Sequence, residues 1–204
     1  MSTQRIKVWD PLLRIFHWSL VSLFLFAFIT EDDFLDLHVW AGYVIVGLII
    51  FRLIWGLIGP HHARFSSFVV SPAKVVAYMK DVAQFRAKRY LGHNPAGGAM
   101  VVALLVSISM TLLFGLLTYG AMEFSGPLAG LVSGVSDGLA DGFEEVHEFF
   151  ANATLFLVGL HVVGVVVASL QHRENLVQSM VDGYKQVEIP EGEFQSDNNS
   201  GVVQ

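Results

Sequence analysis

The sequence predicts an all-α integral membrane protein, an antiparallel bundle of four transmembrane helices with both termini in the cytoplasm. Three observations lead to this fold class. Of the 204 residues, 53% are hydrophobic and only 15% are charged, whereas soluble domains average about 25% charged residues. The apolar residues fall into four long stretches that contain few charges. The Lys and Arg residues are confined to alternate connections between these stretches.

Each stretch is long enough to cross a bilayer, because about 20 helical residues span a hydrocarbon core of about 30 Å. The first covers residues 12–29 and carries Arg14 at its edge, and the second covers 37–58 and contains Arg52. The third is predicted at 98–119 inside a charge-free run, and the fourth at 145–171. Together they form one membrane domain, residues 1–187. The polar residues 188–204 predict a disordered C-terminal tail.

Charge placement predicts the topology. The connections that follow the first and third spans contain no Lys or Arg, and all 12 bases lie on the other side or at its span edges. By the positive-inside rule, the basic side is cytoplasmic, which puts both termini and the central connection there in a multi-pass membrane protein. The periplasmic side carries these acids: Glu31, Asp32, Asp33, Asp36, Glu123, Asp137, Asp141, Glu144, Glu145 and Glu148. The net charge of −6 argues against a nucleic-acid partner, which needs a basic surface.

Four of the eight histidines fall in or at the ends of the spans, where polar side chains are costly and are usually paired or liganded. His17 lies near the cytoplasmic start of the first span, and His38 near the periplasmic start of the second. His147 and His161 lie on the fourth span. Their spacing of 14 residues puts both on one helix face, about 21 Å apart. His147 is therefore level with His38, and His161 is nearer the depth of His17.

Two histidine pairs at two depths predict two haems, each with two axial imidazoles. The chain has no Cys, so the haems would be non-covalent and b-type. Small residues near the four histidines would let a porphyrin lie close to the backbone; they are Gly42, Ala151, Gly159 and Gly164. Two alternatives remain open. A single intramembrane His could hydrogen-bond a neighbour, and two or three could hold zinc or copper, although about 21 Å separates the levels.

Other polar residues have both a structural and a functional interpretation. Arg14 and Arg52 could extend to the cytoplasmic headgroups, or they could pair with haem propionates in a low-dielectric environment. His93 and His172 lie at the cytoplasmic ends of spans. They are either interfacial polar residues or groups that transfer protons. The connection from Glu123 to Glu145 predicts a long loop, with a short interfacial helix that covers the periplasmic haem.

Several short motifs follow one another along the chain: WDPLLRIFHW from Trp9, LHVWAG from Leu37, HARF from His62, GHNPAGG from Gly92, His147-Glu148, GLH from Gly159 and HRENLV from His172. In this order they resemble bacterial cytochrome b561 and nickel–iron hydrogenase b-type cytochrome subunits. The resemblance implies a four-helix cytochrome of the bacterial inner membrane that passes electrons between quinone and a partner. It also implies that His17 and His161 ligate a cytoplasmic-side haem, and that His38 and His147 ligate a periplasmic-side one. With quinone as a partner, His93 and His172 would belong to a quinone and proton site, because quinone reduction takes up two protons.

The sequence thus predicts a dihaem b-type cytochrome that links the quinone pool to a periplasmic or membrane redox partner. A periplasmic electron-transfer protein such as a c-type cytochrome would dock on the acidic outer face. One alternative is a superoxide:quinone oxidoreductase on the same fold, which the absence of Lys and Arg from the outer connections disfavours. Others are a haem-carrying membrane anchor subunit of a larger oxidoreductase complex, and a haem-free transporter whose histidines relay protons.

Overall fold

A computed structural model describes residues 2–31 and 34–189 and confirms the helical membrane fold. Four of its helices are long and apolar enough to span a membrane. In chain order the elements are β1 (Ser2–Lys7), α1 (Pro11–Ile29), α2 (Leu35–Ile58), two 3-10 turns (His61–Ala63 and Phe65–Ser67), α3 (Pro72–Ala83), α4 (Pro95–Met122), α5 (Ala129–Val132), α6 (Asp137–His172), α7 (Leu176–Asp182) and β2 (Tyr184–Ile189). The spans are α1, α2, α4 and α6.

Local sequence signals explain where α1 and α4 begin. Asp10 accepts a hydrogen bond from the Leu13 backbone N–H at 3.0 Å, and Pro11 opens α1. Asn94 accepts one from the Gly97 N–H at 2.7 Å, and Pro95 opens α4. Such caps satisfy backbone donors that have no partner inside the helix, and proline tolerates the first helical position because it has no N–H.

The connection between α4 and α6 is shorter than predicted. α6 begins at Asp137, eight residues before the expected start of the fourth span, so its first two turns extend beyond the apolar segment. An acid in the first turn favours this earlier start through the helix dipole. The expected short helix is present as α5, which packs on the end of α4 through Val132 and Ala121.

The spans pack mainly as two pairs, α1 with α2 and α4 with α6. One ridge of α2, made by Ala41, Ile45 and Ile49, is buried against Ala27 of α1 and Ile108 of α4. Large apolar side chains elsewhere on the spans are exposed. Because a hydrocarbon solvent accepts such residues, this surface suits lipid.

A two-stranded antiparallel sheet, which the sequence analysis did not predict, joins β1 to β2 with Gln4 opposite Val187. It places the two ends of the described chain on one side of the bundle, as four spans require. An ion pair of 2.8 Å between Arg5 and Asp182 lies beside it. β2 includes Glu188 and Ile189, which the analysis assigned to the tail. The remaining tail residues, 190–204, lie outside the described residues.

Candidate functional site

The structure brings His38 of α2 and His147 of α6 together, with 5.9 Å between their ring centroids. Each ring is oriented by a backbone carbonyl on a neighbouring helix. His38 Nδ1 donates to the Ala27 carbonyl at 2.9 Å, and His147 Nδ1 donates to the Thr111 carbonyl at 2.8 Å. Since a carbonyl can only accept, Nδ1 carries the proton and Nε2 is left free as a metal donor.

A cavity with about 750 Å³ of empty space, partly open to the surroundings, adjoins this pair. Its lining is mostly apolar and includes Phe24, Phe28, Val46 and Leu112. Gly42 also lines it, and a Cβ built there would meet no atom within 4 Å. The position of Gly42 therefore agrees with the expectation that a flat ring could approach the backbone there.

Two tyrosines of the cavity lining, Tyr43 and Tyr119, contact the connection that follows α4 at Gly126. Gly126 has φ +86°, and a Cβ there would lie 2.9 Å from the Tyr43 hydroxyl oxygen and 2.8 Å from a Tyr119 ring carbon. Both the positive φ and the lack of space for a Cβ require glycine at this point. The connection thus packs closely on one edge of the cavity lining, near where the sequence analysis expected a cover.

The structure also brings His17 of α1 and His161 of α6 together, with ring centroids 6.4 Å apart. His17 Nδ1 is buried and has no hydrogen-bond partner among the described residues. Buried polar atoms in folded proteins nearly always have one. Among the described residues, His17 therefore has no carbonyl anchor of the kind that orients His38 and His147.

Both pairs fit the axial ligation of haem iron. With imidazole–metal bonds of about 2.0–2.1 Å, two rings on opposite sides of one metal have centres roughly 6 Å apart. Within residues 2–31 and 34–189, no group of three or more His, Cys, Asp or Glu side chains could hold a metal ion. That finding does not support the zinc or copper alternative, which needs three or four protein ligands. Haem needs only two, because the porphyrin supplies the other four donors.

Comparison with known proteins identifies the family. The family model of prokaryotic cytochrome b561 matches residues 8–183, which is most of the chain. The chain belongs to the prokaryotic cytochrome b561 family. It is accordingly a multi-pass bacterial membrane protein with b-type haem and an electron-transfer function.

Curated relatives of this cytochrome carry the name "Probable Ni/Fe-hydrogenase B-type cytochrome subunit". The relative from Cupriavidus necator is 28% identical over 161 residues, which cover 72% of this chain and 65% of the relative, slightly less than two thirds of its length. The Bradyrhizobium diazoefficiens relative is 22% identical over 89% of this chain and 86% of its own length. The Azotobacter chroococcum relative is 25% identical over 88% of each chain. No solved structure matches.

One interpretation of the sequence expected Arg52 of the cytochrome to extend to the headgroups. In the structure its side chain is instead buried inside the protein. It is 2% exposed, and its guanidinium lies 4.6 Å from the centroid of the Phe65 ring. Phe65 is able to pack there because Gly56 has no side chain; a Cβ at Gly56 would lie 2.1 Å from the ring. Arg52 Nη1 has no hydrogen-bond partner among the described residues. A buried cation with an unpaired donor is compatible with a carboxylate ligand.

Arg14 has a structural contact. Its Nη1 donates to the Val181 carbonyl of α7, so it ties α1 to the segment that leads into β2. Its Nε is buried without a hydrogen-bond partner in the described part of the chain. One donor of Arg14 is therefore used by the fold.

The two quinone-site candidates have different surroundings. His93 packs against Trp9 and Phe68, with ring centroids 4.8 and 4.5 Å apart. Burial lowers the pKa of His93 to about 3, and the charge of Arg52 contributes to the shift. His93 is therefore neutral at physiological pH. His172 is the last residue of α6, 11 residues beyond His161.

The carbonyl anchors of the outer pair were not predicted. Ala27 and Thr111 act through main-chain atoms, which leave no mark in the residue pattern. Another missed feature does have a signal in the sequence. Thr154 is fully buried and stands seven residues from both His147 and His161, so its spacing alone places it on their face of α6.

Proposed function

We propose that this cytochrome binds two b-type haems at two levels of the membrane and transfers electrons between a periplasmic redox partner and quinone. The observation that carries the proposal is the assembly of two separate imidazole pairs. His38 and His147 would ligate the outer haem, and His17 and His161 the inner one. The positions of His147 and His161 on α6 separate the two levels by about 21 Å. Haem iron, when bound, supplies one-electron chemistry by changing between its ferric and ferrous states.

The protein would contribute ligand orientation, burial and charge. The carbonyls of Ala27 and Thr111 hold the outer imidazoles, as described above. For the inner haem, the buried guanidinium of Arg52 and the free donor of Arg14 are suited to propionates, since charge-assisted hydrogen bonds are strong where water is excluded.

We place the quinone site at the side of the sheet, around His93. The neutral imidazole of His93 has a buried Nδ1 without a hydrogen-bond partner among the described residues. Trp9 and Phe68 are buried and pack against His93. The imidazole of His93 could donate a hydrogen bond to a quinone oxygen and pass that proton on while its second nitrogen takes up another. His172, at the end of α6, would serve as a second proton donor near the surface.

The side that carries the sheet would be cytoplasmic. The ends of all four spans that face this side also bear the basic connections, including Lys74 and Lys80 of α3. The opposite face would then receive a basic periplasmic partner such as a c-type cytochrome.

A second role is favoured by the names of the relatives, which describe subunits of a nickel–iron hydrogenase. In that role the chain would be the haem-carrying membrane subunit of a larger oxidoreductase. Co-purification of a catalytic subunit with the tagged chain from native membranes would support this role. Purification of the haem-loaded chain alone, with full quinone reactivity, would oppose it.

The test of the main proposal is a reduced-minus-oxidised absorption spectrum of the purified protein, combined with haem-to-protein stoichiometry. Two b haems per chain, both reducible by a quinol in lipid nanodiscs, are expected. A colourless protein would overturn the proposal, and one haem per chain would overturn the dihaem arrangement. Two haems that resist every quinol would remove quinone from the proposal.

A further inference from the structure

One face of α4 contacts His147 at several points. Ser107, Thr111 and Gly115 follow each other at intervals of four residues, so their side-chain positions form one ridge of the helix. Each of the three makes a different contact, either with His147 itself or with the helix that carries it.

Gly115 lets the imidazole approach the backbone of α4. A Cβ built at Gly115 would lie 2.8 Å from both Nδ1 and Cε1 of the His147 ring. Real Cβ atoms do not approach other heavy atoms so closely, and the near group is a ring held on a second helix. A methyl group at this position would therefore displace the imidazole.

Thr111 provides the acceptor for that imidazole. Its carbonyl takes the hydrogen bond from His147 Nδ1 at 2.8 Å, and its own hydroxyl donates to the Ser107 carbonyl at 3.0 Å. A threonine hydroxyl that bonds to the carbonyl four residues earlier often bends a helix slightly. The carbonyl that accepts from His147 thus belongs to a residue whose side chain is itself bonded to the preceding turn of α4.

Ser107 fixes α4 to α6 midway between the two histidines of α6. Its hydroxyl lies 2.8 Å from the Thr154 hydroxyl oxygen, and both side chains are buried. Ser107 Oγ also donates to the Phe150 carbonyl at 3.4 Å. Thr154 is seven residues, or about 10.5 Å, from both His147 and His161. This contact fixes the axial position of α6 relative to α4, and therefore the point at which His147 contacts Thr111 and Gly115.

We infer that Ser107, Thr111 and Gly115, together with Thr154, are positioning residues that orient His147 as an axial ligand and keep the reduction potential of the outer haem low. The inference rests on the proposed ligation of the outer haem by His38 and His147. A ligating imidazole that donates from its other nitrogen is a stronger donor to the metal. Stronger donation stabilises ferric iron, and axial-ligand hydrogen bonding is one of the means by which proteins set haem potentials. His17 makes no such bond among the described residues, so the effect belongs to the outer haem.

The first test is Gly115→Ala, measured by a redox titration of the two haems and by the EPR signals of the ferric protein. The potential of the outer haem should rise, with the ratio of reduced to oxidised outer haem increasing at least threefold at a fixed potential. For a one-electron couple this corresponds to about 28 mV. The EPR signal of the outer haem should shift because the ligand plane turns. The inner haem should titrate as before.

Gly47→Ala is the matched control, since a Cβ at Gly47 would meet nothing within 4 Å. It tests whether the gain in helix propensity alone changes either potential. A second pair of variants keeps the inference testable if Gly115→Ala loses the outer haem. Thr154→Val removes the hydroxyl that meets Ser107 and should raise the same potential, while Thr154→Ser should restore it.

The outcomes separate this inference from the function on which it rests. If His147→Ala retains both haems, the proposed ligation is wrong. If His147→Ala loses one haem, but Gly115→Ala and Thr154→Val leave the outer potential and EPR signal unchanged, only the positioning role is overturned. An equal shift of both haems in either variant would also overturn it, because a general loosening of the bundle does not act through His147. Loss of the outer haem in Gly115→Ala, with both haems kept in Gly47→Ala, supports the positioning role.

Discussion

Replacing one histidine from each pair should remove both haems, whereas replacing both histidines of one pair should remove only one. Within each pair the ring centroids are 5.9 or 6.4 Å apart. The two levels are about 21 Å apart along α6. A histidine of one level therefore cannot ligate at the other level when a partner is lost.

This arrangement fixes the expected numbers. Wild-type protein should contain two haems per chain, His17→Ala one and His161→Ala one. The double variant of His17 and His161 should again contain one, because the second substitution acts on a site already lost. The double variant of His17 and His147 should contain none. Such non-additivity within a pair, with additivity between pairs, is the expected signature of residues that act as units.

The assay is extraction of haem from protein purified in mild detergent, with the spectrum of the extracted haem giving moles per mole of chain. His61→Ala is the control, since His61 is exposed and belongs to a 3-10 turn outside the spans. It should retain two haems. A His17 and His161 double variant without haem, from a protein that still elutes as a folded species, would contradict the pairing. One haem in the His17 and His147 double variant would contradict it too.

Three further predictions concern charge and pH. Arg52→Met should lower the reduction potential of the inner haem in a redox titration, because a buried positive charge favours the ferrous state. Arg52→Lys keeps the charge and should restore part of that potential. An unchanged potential in Arg52→Met would place Arg52 away from the haem. Because burial lowers the pKa of His93 to about 3, the unfolded chain binds more protons than the folded one between about pH 3 and 6.5. The free energy of unfolding should therefore fall as pH drops through this window. His93→Asn should make the thermal unfolding temperature less dependent on pH. If that temperature changes equally with pH in the wild type and in His93→Asn, His93 is not the source of the pH dependence. The rate of electron transfer to a basic partner on the acidic outer face should fall as the salt concentration rises, since screening weakens long-range attraction. A rate that does not depend on salt would contradict electrostatic docking.

Local signals made much of the helical architecture predictable. Apolar length located the four spans. Asp10 and Asn94, each followed by proline, coincide with the starts of α1 and α4, although the prediction of the spans did not use them. The error at the start of α6 has a physical origin. Residues 137–144 are polar enough to lie outside the membrane and yet remain helical. A prediction based on apolarity detects only the part of the helix that faces lipid, so it placed the start of α6 too late.

The sheet between β1 and β2 was missed for a different reason. Each strand has only six residues, and a strand pair gains its stability from contacts between segments that lie about 180 residues apart in the chain. Neither segment carries a turn that would bring it to the other. The four spans do that instead, by returning the chain to the side from which it started.

Composition, the lengths of the apolar stretches and residue spacing determined the class of the protein, its four spans and the expected depths of its histidines. They could do so because a helix has a fixed rise and a fixed angle per residue, and because a bilayer has a fixed thickness. Only the tertiary structure decided which atoms meet across helices: the Ala27 and Thr111 carbonyls with His38 and His147, and Phe65 with Arg52. Such contacts depend on the rotation and axial position of one helix relative to another. Those are set by the packing of all the side chains between them, which no single stretch of sequence contains.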